Sequence, residues 1–98
     1  MTRTLSGALL MTAVVAGIVI AGLSVQRDTR YQNLVAAGNR ALATDQTFAA
    51  IEAFSGAIAL KEDSMIAYLR RGEAYRKRGE PESAIRDFRS PASRTTPA

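Results

Sequence analysis

The sequence predicts an all-α protein: an N-terminal helix of membrane length followed by a short solenoid of about four antiparallel helices. Two observations carry this. Leu5 to Val25 is a run of 21 residues without a charge, and a helix of about 20 apolar residues crosses a bilayer core of about 30 Å. Beyond that run the chain repeats itself at a spacing of 34: Gly38 recurs as Gly72, Ala50 as Ala84, Ile51 as Ile85 and Phe54 as Phe88. Roughly three such identities arise by chance in an Ala- and Arg-rich chain, so placement decides, not number. Three fall together as Ala-Ile-x-x-Phe on one face of a predicted helix, and the fourth sits in the middle of the helix before it.

Residues 1–4 form a short tail and residues 5–25 the predicted transmembrane helix. Ser6, Thr12 and Ser24 are compatible with insertion, because their hydroxyls can return to backbone carbonyls one turn earlier. A cleavable secretory signal is the rival reading. Against it, the run exceeds the usual signal core of about 7–15 residues, and no clean Ala-x-Ala follows; Gly22-Leu23-Ser24 is the nearest approach. An uncleaved signal-anchor is therefore preferred. Arg3 on one side and Arg27 and Arg30 on the other nearly balance, so flanking charge does not fix the orientation. A short N-terminal tail favours the N-terminus inside and the following domain on the non-cytoplasmic side. Ala13, Gly17 and Ala21 make a small-residue stripe that would allow self-association.

Residues 26–30 are a juxtamembrane segment, and no Pro interrupts the path from the membrane run into the next helix, about 31–43. Thr44-Asp45-Gln46 breaks that helix, since Asp and Thr compete for backbone groups at turns. A second helix, about 47–60, buries Ala50, Ile51, Phe54, Ala57 and Ile58, and Lys61 to Ser64 is a polar turn. A third, about 65–78, carries Tyr68, Leu69, Gly72 and Tyr75 on its apolar side. Gly79 suits its C-cap, and Arg76-Lys77-Arg78 complements the negative end of its dipole. Glu80-Pro81-Glu82 suits the opening of a fourth helix, which should stop before Pro91. Residues 91–98, small, polar and Pro-containing, are expected to be disordered. Gly38 and Gly72 lack a Cβ and let a neighbouring helix approach; Ala50 and Ala84 are small for the same reason, and Phe54 and Phe88 fill the space one turn later.

This pattern over residues 31–90 resembles the tetratricopeptide repeat, a unit of two antiparallel helices in 34 residues. One copy runs from Tyr31 to Ser64 and a clipped second from Met65 to about residue 90. Leu34, Ala37-Gly38, Ala41, Ala50, Phe54 and Ala57 carry the first; Tyr68, Arg71-Gly72, Tyr75, Ala84 and Phe88 carry the second. Glu62 departs from the usual closing Pro, and Pro91 takes a helical Ala position. Arrays of this kind normally need about three repeats to cover their apolar faces. The two copies here imply a piece of a longer array, pairing with another copy or protein, or a marginal fold.

The resemblance implies protein or peptide binding in the groove lined by the first helix of each repeat. In this register the groove positions are Gln32, Val35, Asn39, Leu42 and Ala43, then Ile66, Leu69, Glu73, Arg76 and Lys77. The family includes a Lys- and Asn-built clamp for C-terminal carboxylates. Asn39 matches one of its asparagines, but Val35 stands where the clamp has Lys and Glu73 where it has a second Asn. A carboxylate facing Glu73 would be repelled, so that specificity is not expected. Leu69, Arg76 and Lys77 suit a peptide with acidic and apolar side chains.

Composition narrows the alternatives. The chain has no Cys and no His, which removes thiolate chemistry and the commonest base and metal ligand. No Gly-rich phosphate loop and no metal-spaced acidic cluster occurs, so neither a cofactor nor enzyme activity is expected. The net charge is +4, all of it from Met65 onward. The competing readings are a secreted form after signal cleavage, or a basic module binding anionic lipid or nucleic acid through Arg70, Arg71, Arg76, Lys77, Arg78, Arg86 and Arg89. Nucleic acid ranks below protein, because Tyr68, Tyr75 and Phe88 are assigned to the core and cannot stack on bases.

Overall fold

The computed structural model describes residues 2–94, with side chains from 7 to 93, and is all-helical, with no strand among the described residues. The helices are α1 (Thr2–Ala43), α2 (Thr47–Leu60), α3 (Met65–Arg78), α4 (Pro81–Phe88) and the short α5 (Pro91–Arg94). Consecutive helices pack on one another, and α3 also touches α1. The molecule measures 70 × 30 × 20 Å, because α1 alone, with 42 residues, is about 63 Å long at about 1.5 Å per residue.

The apolar run and the first soluble helix are thus one continuous α1, which also takes in residues 2–4 of the expected tail. Nothing in Gln26-Arg-Asp-Thr-Arg30 stops helix formation, and Thr29 Oγ1 donates to Val25 O at 3.0 Å across the junction. In the apolar part Thr12 Oγ1 likewise donates to Ala8 O at 2.8 Å. That part has a mean hydropathy of 2.4, and none of it is buried by the rest of the chain. It is long and apolar enough to cross a membrane, a property shared with signal sequences.

From Tyr31 onward α1 joins a core of Leu42, Ala50, Phe54, Ala57, Ala67 and Ala74. Phe54 is the large side chain at its centre, 0% exposed. Burial of this kind stabilises by about 2–3 kcal/mol per large side chain. The ring lies against Gly38, where an added Cβ would fall 2.6 Å from it. Phe88 stands in the same relation to Gly72, again at 2.6 Å.

Backbone geometry recurs at the same spacing. At the end of α1, Asp45 takes a left-handed φ of 58° while the N–H groups of Asp45 and Gln46 donate to Leu42 O and Ala41 O at 3.2 and 2.8 Å. At the end of α3, Gly79 takes φ 83° while Gly79 and Glu80 donate to Arg76 O and Tyr75 O at 3.0 and 2.9 Å. Asp tolerates the left-handed region better than most side chains, so it can stand where glycine is the default. The α2–α3 turn is fixed by Ser64, whose Oγ accepts from Ala67 N at 3.2 Å and shares a 2.6 Å hydrogen bond with Tyr31 Oη.

Two expectations change. Phe88 is not enclosed: it is 39% exposed and its neighbour Ile85 47%. Phe54 has α1 on one side and α3 on the other, whereas no helix follows on the far side of α4 among the described residues. Residues 91–94 are helical, and Ala92 is buried. Ser93 holds them, its Oγ donating to Asp87 O at 2.8 Å. Together α4 and α5 span 81–94, the counterpart of α2 at 47–60, with the break where Pro91 cannot donate to the ladder. The remaining tail, 95–98, lies outside the described residues.

Candidate functional site

The first helical segment of each half, α1 beyond residue 31 and α3, run side by side. Between them lies an open cavity of about 400 Å³ lined by Asn39, Leu42, Ala43, Arg70, Glu73 and Lys77. The 34-residue spacing creates it: Asn39 corresponds to Glu73 and Ala43 to Lys77, so paired positions on parallel helices face one hollow.

The expected groove residues divide. Asn39, Leu42, Ala43, Glu73 and Lys77 converge, and Arg70, outside the expected set, joins them. Leu42 is only 5% exposed and forms floor, not rim. Val35 is half-buried against the core and Leu69 half-buried on α3. Gln32, Ile66 and Arg76 are exposed but do not line the cavity.

Charges at the rim are loosely paired. Arg70 Nη1 lies 3.6 Å from Glu73 Oε2, and Lys77 Nζ 3.4 Å from the exposed Asp45 Oδ1. Such exposed pairs contribute about 0–1 kcal/mol, so a ligand can exchange them at little cost. Arg76 has no ionic partner among the described residues.

Arg71 behaves differently. Its Nε and Nη2 donate to the two carboxylate oxygens of Asp87, both at 2.7 Å, and Nη1 donates to Ser55 Oγ at 3.1 Å. The Asp87 side chain is 7% exposed and that of Arg71 20%. Tyr68 and Tyr75 flank the guanidinium at 5.4 and 5.9 Å. The hydrogen bonds to Asp87 raise the Arg71 pKa above its already high ordinary value, against the opposing effect of burial. This bidentate pair ties α3 to α4, and its third bond ties α3 to α2. It withdraws Arg71 from the expected basic surface. Arg78 is also engaged, 3.5 Å from Glu80 and over the exposed Phe48 ring at 5.3 Å, and Arg86 donates to Ser83 Oγ at 2.9 Å. No group of three or more metal-ligating side chains occurs among the described residues.

The Arg71–Asp87 pair escaped the sequence reading although a signal existed. Their counterparts 34 residues earlier are Ala37 and Ala53, so two alanines on facing helices change together into opposite charges. Comparison of the chain with protein-family models, curated proteins and solved structures returns no match.

Proposed function

We propose that the chain is a single-pass, membrane-anchored adaptor of the tetratricopeptide type that holds a peptide or partner protein along the α1–α3 groove, with the repeats on the non-cytoplasmic side. The cavity between Asn39, Ala43, Glu73 and Lys77 carries this reading, because it lies where the repeat register puts a ligand and its polar rim is weakly self-paired. The partner segment offers apolar side chains to Ala43 and the edge of Leu42 and a carboxylate to Lys77, and where it extends beyond the cavity a second carboxylate to the exposed Arg76. Membrane insertion of residues 5–25 fixes where this happens. Continuity of α1 sets the groove residue Ala43 about 27 Å beyond Val25.

Site-specific photocrosslinking in the native membrane tests the proposal. A crosslinker at Asn39 or Glu73 should trap one discrete polypeptide, and one at Ala49, on a different surface with Ala53 and Thr44, should not. Replacing both Arg76 and Lys77 by Glu should lower the yield by about tenfold, the effect of reversing two charges that face acidic side chains. Equal trapping at Asn39 and Ala49, or a yield indifferent to the charge reversal, would refute the groove.

A further inference from the structure

A second cavity, about 260 Å³, sits at the other end of the helical hairpin, where α1 leaves the apolar run. It is lined by Leu23, Gln26, Arg27 and Arg30 of α1 and by Leu60 at the end of α2. The α2 end is fastened there: Lys61 Nζ lies 3.0 Å from Asp28 Oδ1 and 4.6 Å from the Tyr31 ring centroid, and Tyr31 meets Ser64 at 2.6 Å. Lys61 thereby occupies the one acid between Val25 and Tyr31. Arg27 and Arg30 have no ion pair or hydrogen bond to their side chains among the described residues. Glu62 and Asp63 follow in the turn but do not line the cavity.

Position decides what these two guanidinium groups meet. On a straight helix Arg27 lies about 3 Å and Arg30 about 8 Å beyond Val25. The headgroup layer on each side of a bilayer core is about 5–8 Å thick. With residues 5–25 inserted, both arginines stand at the depth of lipid phosphates and Leu23 lies below them toward the acyl chains, while Leu60, next to the Lys61 that pairs with Asp28, walls the cavity at the level of the arginines. Guanidinium groups bind phosphate oxygens by charge-assisted hydrogen bonds, and in any leaflet that carries anionic lipids paired arginines at headgroup depth favour the charged headgroup over a zwitterionic one.

We propose that this cavity is a binding site for one anionic phospholipid, with Arg27 and Arg30 on the phosphate, Leu23 against the start of the acyl chain and Leu60 as the facing wall. The proposal rests on the membrane-anchored reading and adds a lipid preference to it. An occupied site would set the tilt of the hairpin on the membrane, because its wall is shared by α1 and α2.

The test uses the full chain in lipid nanodiscs, with the arginine side-chain nitrogens followed by NMR. Discs of phosphatidylcholine alone are compared with an equal mixture of phosphatidylcholine and phosphatidylglycerol, and with phosphatidylcholine discs in inorganic phosphate. Arg27 and Arg30 should shift in the mixed discs only. Arg40, exposed and about 22 Å beyond Val25, should not move. In native mass spectrometry, Arg27→Gln/Arg30→Gln should lower retained phosphatidylglycerol by roughly tenfold. No shift in the mixed discs, an equal shift with inorganic phosphate, or an equal shift at Arg40 would overturn the lipid site. Extraction of the chain from membranes by alkaline carbonate would overturn the anchor on which it stands.

Discussion

The two hairpins, residues 31–60 and 65–94, are built on one plan and end in different states. Each sets a Phe ring on a helical Gly at 2.6 Å from the missing Cβ, and each turns from its first helix to its second through a left-handed residue. Yet Phe54 is 0% exposed and Phe88 39%. Local sequence places a ring against a helix, but burial comes from what packs outside it. The first hairpin is flanked by α3. The second has no such neighbour among the described residues and holds its helices together with the Arg71–Asp87 pair, where the first has Ala37 and Ala53. The less enclosed hairpin thus uses a directional charge pair where the other has apolar enclosure.

Truncating the rings should separate the hairpins most widely. Phe54→Ala empties an enclosed site and should cost about 4 kcal/mol, whereas Phe88→Ala removes a partly solvated ring and should cost about 1–2 kcal/mol. Thermal melting of the full chain in detergent micelles reads the difference. Comparable losses would mean that Phe88 is covered in solution by another chain.

The charge pair comes next. Arg71→Met strands the Asp87 carboxylate and should destabilise by about 3 kcal/mol. Adding Asp87→Leu should recover most of that loss, since the stranded charge is then gone. Because the Arg71 pKa is raised, the stabilisation it brings is complete below the ordinary arginine pKa and fades only as pH rises through the still higher folded value. Melting should therefore show no arginine-linked loss between neutral and mildly alkaline pH. Failure of the second substitution to rescue the first would assign Arg71 a role beyond neutralising Asp87.

Much of this architecture was legible in the sequence because its signals are local. The helix limits at Ala43, Thr47, Leu60, Met65 and Arg78 follow from Thr44-Asp45-Gln46, the polar Lys61-to-Ser64 turn and Gly79, which act within a few residues. The Gly–Phe contacts were legible because each Gly and its Phe recur together. What stayed hidden depends on three-dimensional neighbours. The inward turn of Arg71 requires Asp87 and Ser55 from two other helices, and the exposure of Phe88 depends on what packs against α4, where the described residues place no further helix. The short helix at 91–94 escaped because Pro and Ser composition reads as tail, while its order comes from Ser93 reaching back to Asp87. Of the candidate groove, helix register was enough for Asn39, Glu73 and Lys77. It did not bring Gln32, Val35, Ile66, Leu69 or Arg76 to the cavity, and Leu42 forms its floor as part of the core.

Corresponding Gly–Phe contacts thus carry different weight, because one is enclosed and the other partly exposed. Melting of Gly38→Ala beside Gly72→Ala tests this difference most directly. At Gly38 the new methyl meets a ring that cannot move, and overpacking of about 1–3 kcal/mol should outweigh a helix-propensity gain of about 1 kcal/mol. At Gly72 the ring of Phe88 can swing toward solvent, so the two effects should nearly cancel. A clear drop in melting temperature for Gly38→Ala with little change for Gly72→Ala is the predicted result; equal drops, or none at Gly38, would contradict the account.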